Sequence, residues 1–393
     1  MQSTANLEVP AAAIRKGRGA SGNCGNRFES QSSHAFDDGW DSIAEETLSP
    51  PPVATTLIRD PSRSAIVWNK SPDLGFDRSL NPYRGCEHGC IYCYARPSHA
   101  FLGFSPGLDF ETRLTFKPDI AKILERELRK PGYMPGPIAL GSNTDPYQPV
   151  ERDLGLTRSV LEVLEKFGHP LSIVTKSTGV LRDADILARM AARGLVRVWL
   201  SITTLDPVLA RRMEPRAATP ARRLAAISGL AAAGVPVGVL AAPMIPGLND
   251  CDLERILEVA RAAGARDAGY VLLRLPGEVQ QMFETWLHQH YPLRARHVLN
   301  LVRETRAGAL NDSRFGHRFR GQGVYAGMLS QRFARVVRRL GLDDPVVLHT
   351  AQLQKHHFAP PPVEGAQMSL FPVVPDSGDA GWPVLSGSGR IAG

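Results

Sequence analysis

The chain has 393 residues, 43% of them hydrophobic and 22% charged, which allows one barrel-sized domain with smaller additions and has the balance of an ordinary soluble protein. No apolar run approaches the ~20 residues that cross a bilayer, and the N-terminus lacks a basic segment followed by an apolar core, so neither a membrane span nor a signal peptide is expected and a cytoplasmic location is. The net charge is +7, and five cysteines are too few for a disulfide scaffold.

Residues 1–70 are rich in Ser, Gly, Asp and Pro with no sustained period of 2 or 3.6, which predicts a flexible N-terminal arm. Beyond it, short apolar runs alternate with helical patterns. Strands are expected at about 80–84, 137–141, 171–175, 196–202, 235–242 and 268–275, with helices at 118–128, 157–167, 184–193, 220–233 and 251–263. Such alternation implies a parallel sheet with right-handed crossovers. Six units favour an α/β fold of the partial (β/α)6 TIM-like barrel type over residues 71–290, and a doubly wound sheet is the structural alternative. No GxGxxG follows the first strand, which argues against a dinucleotide site. In either fold, ligands sit at the carboxyl ends of the strands.

Cys86, Cys90 and Cys93 fall within eight residues, in Asn81-Pro82-Tyr83-Arg84-Gly85-Cys86-Glu87-His88-Gly89-Cys90-Ile91-Tyr92-Cys93-Tyr94, while Cys24 and Cys251 stand apart. One short loop bringing three thiolates together suits an iron–sulfur cluster with one iron open to a ligand. A structural zinc is the competing reading, with His88 or His99 as its fourth ligand.

The pattern Cys-x3-Cys-x-aromatic-Cys resembles the signature of the radical S-adenosylmethionine (radical SAM) superfamily. That resemblance implies a [4Fe–4S] cluster on Cys86, Cys90 and Cys93. It also implies reductive cleavage of S-adenosylmethionine to a 5′-deoxyadenosyl radical, an electron donor such as flavodoxin or ferredoxin, and Tyr92 beside the adenine. From about residue 80 to 275 the chain looks like the spore-photoproduct-lyase-like branch, also called DNA-repair-photolyase-like. By that likeness Thr144 and Asp145, in Gly141-Ser142-Asn143-Thr144-Asp145-Pro146, meet the methionine amine, and Lys176 meets the carboxylate. Ser201 would reach the ribose or sulfonium region, and Ala242 would offer its backbone to the adenine. The turn with Thr144 and Asp145, Lys176 and Ser201 also have structural readings: a helix-capping turn, a solvated lysine, a serine bonded to its own backbone. Arg274, at the sixth strand end, would pair with an anionic substrate group or with a barrel carboxylate. One position departs from the branch. Ser142 stands where the lyases carry a cysteine hydrogen donor, and a hydroxyl O–H bond is too strong for that task, so repair of the spore thymine dimer is not expected.

Residues 291–345 read as an Arg-rich helical extension. Between 291 and 340 eleven arginines face only Glu304 and Asp312, and no lysine occurs. Arg332, Arg335, Arg338 and Arg339 recur at helical spacing, and Phe315, Phe319 and Tyr325 are interleaved. Arginine suits bidentate phosphate contacts, so the Arg294–Arg339 region is a candidate nucleic-acid surface, and a merely solvated basic face is the other reading. Residues 346–393 are Pro-, Gly- and Ser-rich and predict a flexible tail. Within it Gln367-Met368-Ser369-Leu370-Phe371 resembles the pentapeptide with which bacterial repair and replication proteins dock on the sliding clamp. Three functions are open: a radical SAM enzyme acting on nucleic acid, one modifying a peptide or protein, and a non-catalytic iron–sulfur protein that recruits partners.

Overall fold

The apolar runs expected as strands form one parallel sheet. The computed structural model describes residues 15–28, 53–342 and 353–362. Ten strands occur in chain order: β1 (Thr56–Arg59), β2 (Ile66–Trp68), β3 (Arg78–Leu80), β4 (Tyr83–Arg84), β5 (Arg113–Phe116), β6 (Ile138–Leu140), β7 (Leu171–Thr175), β8 (Val196–Ser201), β9 (Val237–Met244) and β10 (Asp267–Leu272). The main helices are α1 (Ile120–Leu128), α2 (Leu156–Lys166), α3 (Ala184–Ala192), α4 (Pro207–Met213), α5 (Pro220–Ala232), α6 (Leu253–Ala262), α7 (Val279–His290), α8 (Pro292–Glu304) and α9 (Gly323–Leu340).

The large sheet has the order β10-β9-β8-β7-β6-β3-β2, all parallel except the antiparallel edge pair β2–β3. Strands β3 to β10 follow one another across the sheet without a reversal. A doubly wound sheet reverses direction at a switch point, so the order is that of a barrel strip with six parallel strands. The sheet ends at β2 and β10, which do not pair with each other among the described residues. The first expected strand is split in two. Pro82 cannot donate to a ladder, and beyond it Tyr83–Arg84 leave for a small sheet of order β1-β5-β4.

Packing explains why the runs read so clearly. Strands such as β7 and β8 are buried on both faces, as parallel strands covered by helices are. Helix α2 turns Leu156, Val160, Leu161 and Leu164 to the same core, the spacing of one helical stripe. A second core caps the carboxyl end of the sheet: Ile91 and Tyr92 of the cysteine loop join Met213, Phe283, Trp286 and Val298 from α4, α7 and α8.

Two segments differ from their expected flexibility. Residues 15–28 form a strap against the cysteine loop. The Gly19 and Ala20 amides donate to the Glu111 carboxylate at 3.0 and 2.8 Å, and Asn26 donates to the carbonyls of Ala100 and Phe104. The strap lacks periodicity because backbone amides and polar side chains such as Asn26, rather than an apolar stripe, carry these contacts. Residues 353–362 pack beneath the sheet, where Phe358 meets Tyr133, Phe167 and His169, and Arg129 donates to the Pro361 carbonyl at 2.6 Å. Residues 1–14, 29–52, 343–352 and 363–393, including Gln367–Phe371, lie outside the described residues.

Candidate active site

The three clustered cysteines sit on a loop held from four sides. The Cys86 amide donates to the Phe110 carbonyl at 2.9 Å and the Ile91 amide to the Met213 carbonyl at 3.0 Å, while successive turns close Gly89 onto Cys86 and Cys93 onto Cys90. Gly85 has φ of +81°, and a Cβ there would come within 2.9 Å of the Phe110 carbonyl oxygen, so the entry to the loop needs glycine. Thr144 donates to the Gly85 carbonyl at 2.7 Å, and Gln148 accepts from the Glu87 amide at 2.8 Å. Fully buried Arg96 donates through Nε to the Cys90 carbonyl at 2.9 Å and pairs with Glu111 at 2.5 Å, so one guanidinium joins the loop to the carboxylate that holds the strap.

Cys86 and Cys90 are buried, and Cys93 is half-buried and packs against both. Burial, followed by the Asp145 charge, pushes the Cys86 thiol well up. Burial, then Glu214, pushes Cys90 up to about 12. Cys90 and Cys93 raise the Cys86 thiol further, and Cys93 raises that of Cys90. Among the described residues no set of three His, Cys, Asp or Glu groups encloses a single metal ion. Of the two histidines that a zinc site would need, His88 is engaged by a carboxylate, while both ring nitrogens of His99 are buried with no hydrogen-bond partner among the described residues. His88 Nδ1 lies 3.3 Å from Asp145, and His99 is buried between Phe104 and Phe110, where burial lowers it to about 4. Three thiols from one loop, coupled in charge, are a donor set that fits a cluster with one open iron.

The strand-end residues converge around this loop. Asp145, after β6, accepts from Thr175 Oγ1 and from the Lys176 amide, both at 2.7 Å. Burial pushes its carboxyl up, but His88 and these donors outweigh that and hold it at about 2. Thr144 and Asp145 are thereby bonded to the loop and to β7. Lys176 extends its ammonium to within 5.8 Å of the Tyr92 ring centroid. At the end of β8 the Ser201 carbonyl accepts from Arg223 at 2.9 Å. Ala242 is half-buried near the end of β9, and Asn249 links the neighbouring loops by donating to Thr203 and Pro243 carbonyls. Ser142 accepts from Asn81 at 3.2 Å, and its carbonyl receives the Tyr94 hydroxyl.

One element escaped sequence reasoning. Glu214, after α4, is buried and accepts from Tyr92, from Thr203 at 2.5 Å and from Arg223. Burial pushes its carboxyl up, but Arg223 and then Lys176 prevail and hold it at about 2. This pair fixes the aromatic residue of the cysteine motif from below. Its only trace in the sequence is a lone acid in Arg211-Arg212-Met213-Glu214-Pro215-Arg216.

The arginine-rich extension serves two purposes. Arg332 pairs with Glu254 at 2.6 Å, half-buried, and exposed Arg339 pairs with Glu258, so part of the basic stripe of α9 is tied to α6. Buried Arg306 donates to the carbonyls of Leu272, Leu273, His317 and Arg318, bolting the 311–322 loop to the end of β10. Arg335 and Arg338 remain exposed. At the same strand end Arg274 forms no ion pair among the described residues. Its buried Nε has no partner there, and burial, then Arg318, lowers its pKa.

Comparison with known proteins agrees with this geometry. The family model for the Radical SAM superfamily matches residues 80–260. An uncharacterized protein of Mycobacterium tuberculosis is 40% identical over 229 residues, 57% of this chain and 67% of that protein. An uncharacterized protein of Methanocaldococcus jannaschii is 28% identical over 236 residues, 60% and 84% respectively. Among solved structures, a spore photoproduct lyase with bound AdoMet and dinucleoside spore photoproduct aligns with a TM-score of 0.51 at 18% identity, covering 72% of this chain and 79% of that one. A second, complexed with dinucleoside spore photoproduct, gives 0.50 at 20% identity with the same coverage. The chain belongs to the radical SAM superfamily, whose enzymes use a [4Fe–4S] cluster and S-adenosylmethionine. Its fold is shared with the lyase, and among the described residues no helix is long and apolar enough to cross a membrane.

Proposed function

We propose that this radical SAM enzyme acts on a nucleic acid. The observation that carries the reading is Arg274: a guanidinium at the carboxyl end of β10, beside the cysteine loop, with no carboxylate partner among the described residues. A half-buried guanidinium without an acid beside it is completed by an anionic ligand, and phosphate matches the guanidinium fork. The spore photoproduct lyase of similar fold is complexed with dinucleoside spore photoproduct, which supports a nucleotide substrate class here, and exposed Arg335 and Arg338 add electrostatic attraction.

Cys86, Cys90 and Cys93 would hold the cluster, and the open iron and the sulfonium supply hydrogen-abstracting radical chemistry when both cofactors are bound. The chain's own groups orient and exclude. Lys176 supplies a positive charge for the methionine carboxylate beside Tyr92, whose ring Glu214 and Arg223 fix for the adenine. Thr144 and Asp145 shape the methionine pocket by holding Gly85 and the Lys176 backbone in place, leaving backbone and loop atoms to meet the amine. Ser201 and Ala242 line the ribose and adenine side. Ser142 keeps the hydroxyl noted above, so the reaction is a repair or modification other than thymine-dimer reversal through a thiol.

Residues 71–290 form the catalytic unit in this reading, joined by the strap and by β1 and β2. An electron donor such as flavodoxin or ferredoxin is the expected reductant, and Gln367–Phe371 is a candidate clamp-docking peptide. Anaerobic reconstitution with dithionite and S-adenosylmethionine, followed by deuterium tracing from oligonucleotides into 5′-deoxyadenosine, tests the function. Transfer from a peptide with none from any polynucleotide would overturn it.

A further inference from the structure

A run of alternating rings and guanidinium groups leads away from the cysteine motif. Tyr94 follows Cys93 directly. The Arg274 guanidinium carbon lies 5.6 Å from the Tyr94 ring centroid and 5.1 Å from that of Phe319. Arg318 lies 4.8 Å from Phe319 and 5.0 Å from Phe315. The order is therefore Tyr94, Arg274, Phe319, Arg318, Phe315, crossing from the motif over the end of β10 to the 311–322 loop.

This run is rigidly built. The Leu272 amide donates to the Phe319 carbonyl at 2.9 Å, and Arg306 grips the carbonyls on both sides of the junction. Asp73 accepts from Arg318 Nε at 2.7 Å, which aims that guanidinium and neutralises it. Arg274 has no such acid. The two end rings are open to solvent, Tyr94 at 51% and Phe315 at 57% exposure. Contiguous exposed apolar groups rimmed by polar ones mark interaction sites, and here the rings alternate with cations, one of them without an acid.

We infer that these five residues form a track for an unpaired polynucleotide strand, with bases stacked on the rings and a phosphate on Arg274, delivering one nucleotide to the mouth beside Tyr94. This rests on the nucleic-acid reading and narrows it to single-stranded or extruded nucleotides. Bases within a duplex are already stacked and cannot reach the rings, whereas unpaired bases have free faces. Enzymes that work on a base take it out of the stack for the same reason.

The test uses the full chain, reconstituted anaerobically, and a fluorescein-labelled unstructured pyrimidine oligonucleotide offered alone or in a blunt duplex. The strand alone should bind more tightly than the duplex. Phe315→Ala and Phe319→Ala should each weaken strand binding by about 5- to 150-fold, the range of one lost stack, and leave duplex binding and iron content unchanged. Phe319→Tyr should retain the affinity, which separates stacking from misfolding. Arg274→Gln should weaken the strand and flatten its salt dependence. Equal binding of strand and duplex, with no effect of the ring variants, would overturn the track and leave a polynucleotide substrate standing. No binding of either form would remove both.

Discussion

Glu111→Gln is the substitution that most directly questions how the cysteine loop is held. The carboxylate takes the Gly19 amide on Oε2 and the Ala20 amide together with Arg96 on Oε1. The glutamine amide has the same shape but one acceptor oxygen, and its NH2 group faces a donor wherever it points. At least one strap amide therefore loses its acceptor, and the other loses the benefit of charge. A charge-assisted bond contributes about 1.5–3 kcal/mol, so Gly19 and Ala20 should exchange hydrogen about 10- to 150-fold faster. Fully buried Arg96 loses its counter-charge, and breaking a buried pair costs about 3–5 kcal/mol, so global stability falls as well. Native-state hydrogen exchange read by mass spectrometry on strap peptides measures the first effect and urea unfolding the second. Unchanged exchange at Gly19 and Ala20 would refute the claim that Glu111 fastens the strap.

Four further outcomes are expected. Cys90→Ala should lose the cluster, about four irons per chain when reconstituted, together with S-adenosylmethionine cleavage; uptake of one zinc in place of iron would contradict it. Lys176→Ala should keep its iron while binding S-adenosylmethionine more weakly by about 1.5–3 kcal/mol, as calorimetry would show. His169 is buried and lowered by burial from 6.5 to about 4, so between those values the unfolded chain binds more protons and stability falls as pH falls. Urea unfolding at pH 5 should show a deficit of about 2 kcal/mol relative to pH 7 from this group, and His169→Gln should remove that part of the slope. A peptide covering residues 360–376 should bind the bacterial sliding clamp at micromolar affinity, about −8 kcal/mol, and lose it on replacing Leu370 and Phe371 with alanine.

The barrel strip was legible because its signals are local. Buried strands read as apolar runs, helices such as α2 carry a single apolar stripe, and the cysteine motif lies within one loop. The remainder depends on partners distant in sequence. Glu111 organises a strap some ninety residues earlier through backbone amides, which leave no side-chain pattern. Glu214 and Arg223 look like two surface charges until α4 and α5 bring them beneath Tyr92. The arginines of the extension and of the adjoining strand end are equally opaque in the sequence. Arg332 is paired by Glu254, Arg318 by Asp73 and Arg306 by four carbonyls, whereas Arg274 is left without an acid, and composition assigns all of them one charge.

The anchorage of residues 353–362 has a mechanical consequence. Gln354 donates to the Gly194 carbonyl and Ala359 to that of Phe167, both just before strands begin, and Arg129 holds Pro361 at the same end. The chain thus passes Pro362 on the face opposite the strand ends that carry the cysteine loop. Five further residues reach Gln367, a span of at most about 18 Å. A partner that grips Gln367–Phe371 would hold the molecule from behind. The mouth would then point outward and stay unobstructed, as a tool is held by its handle.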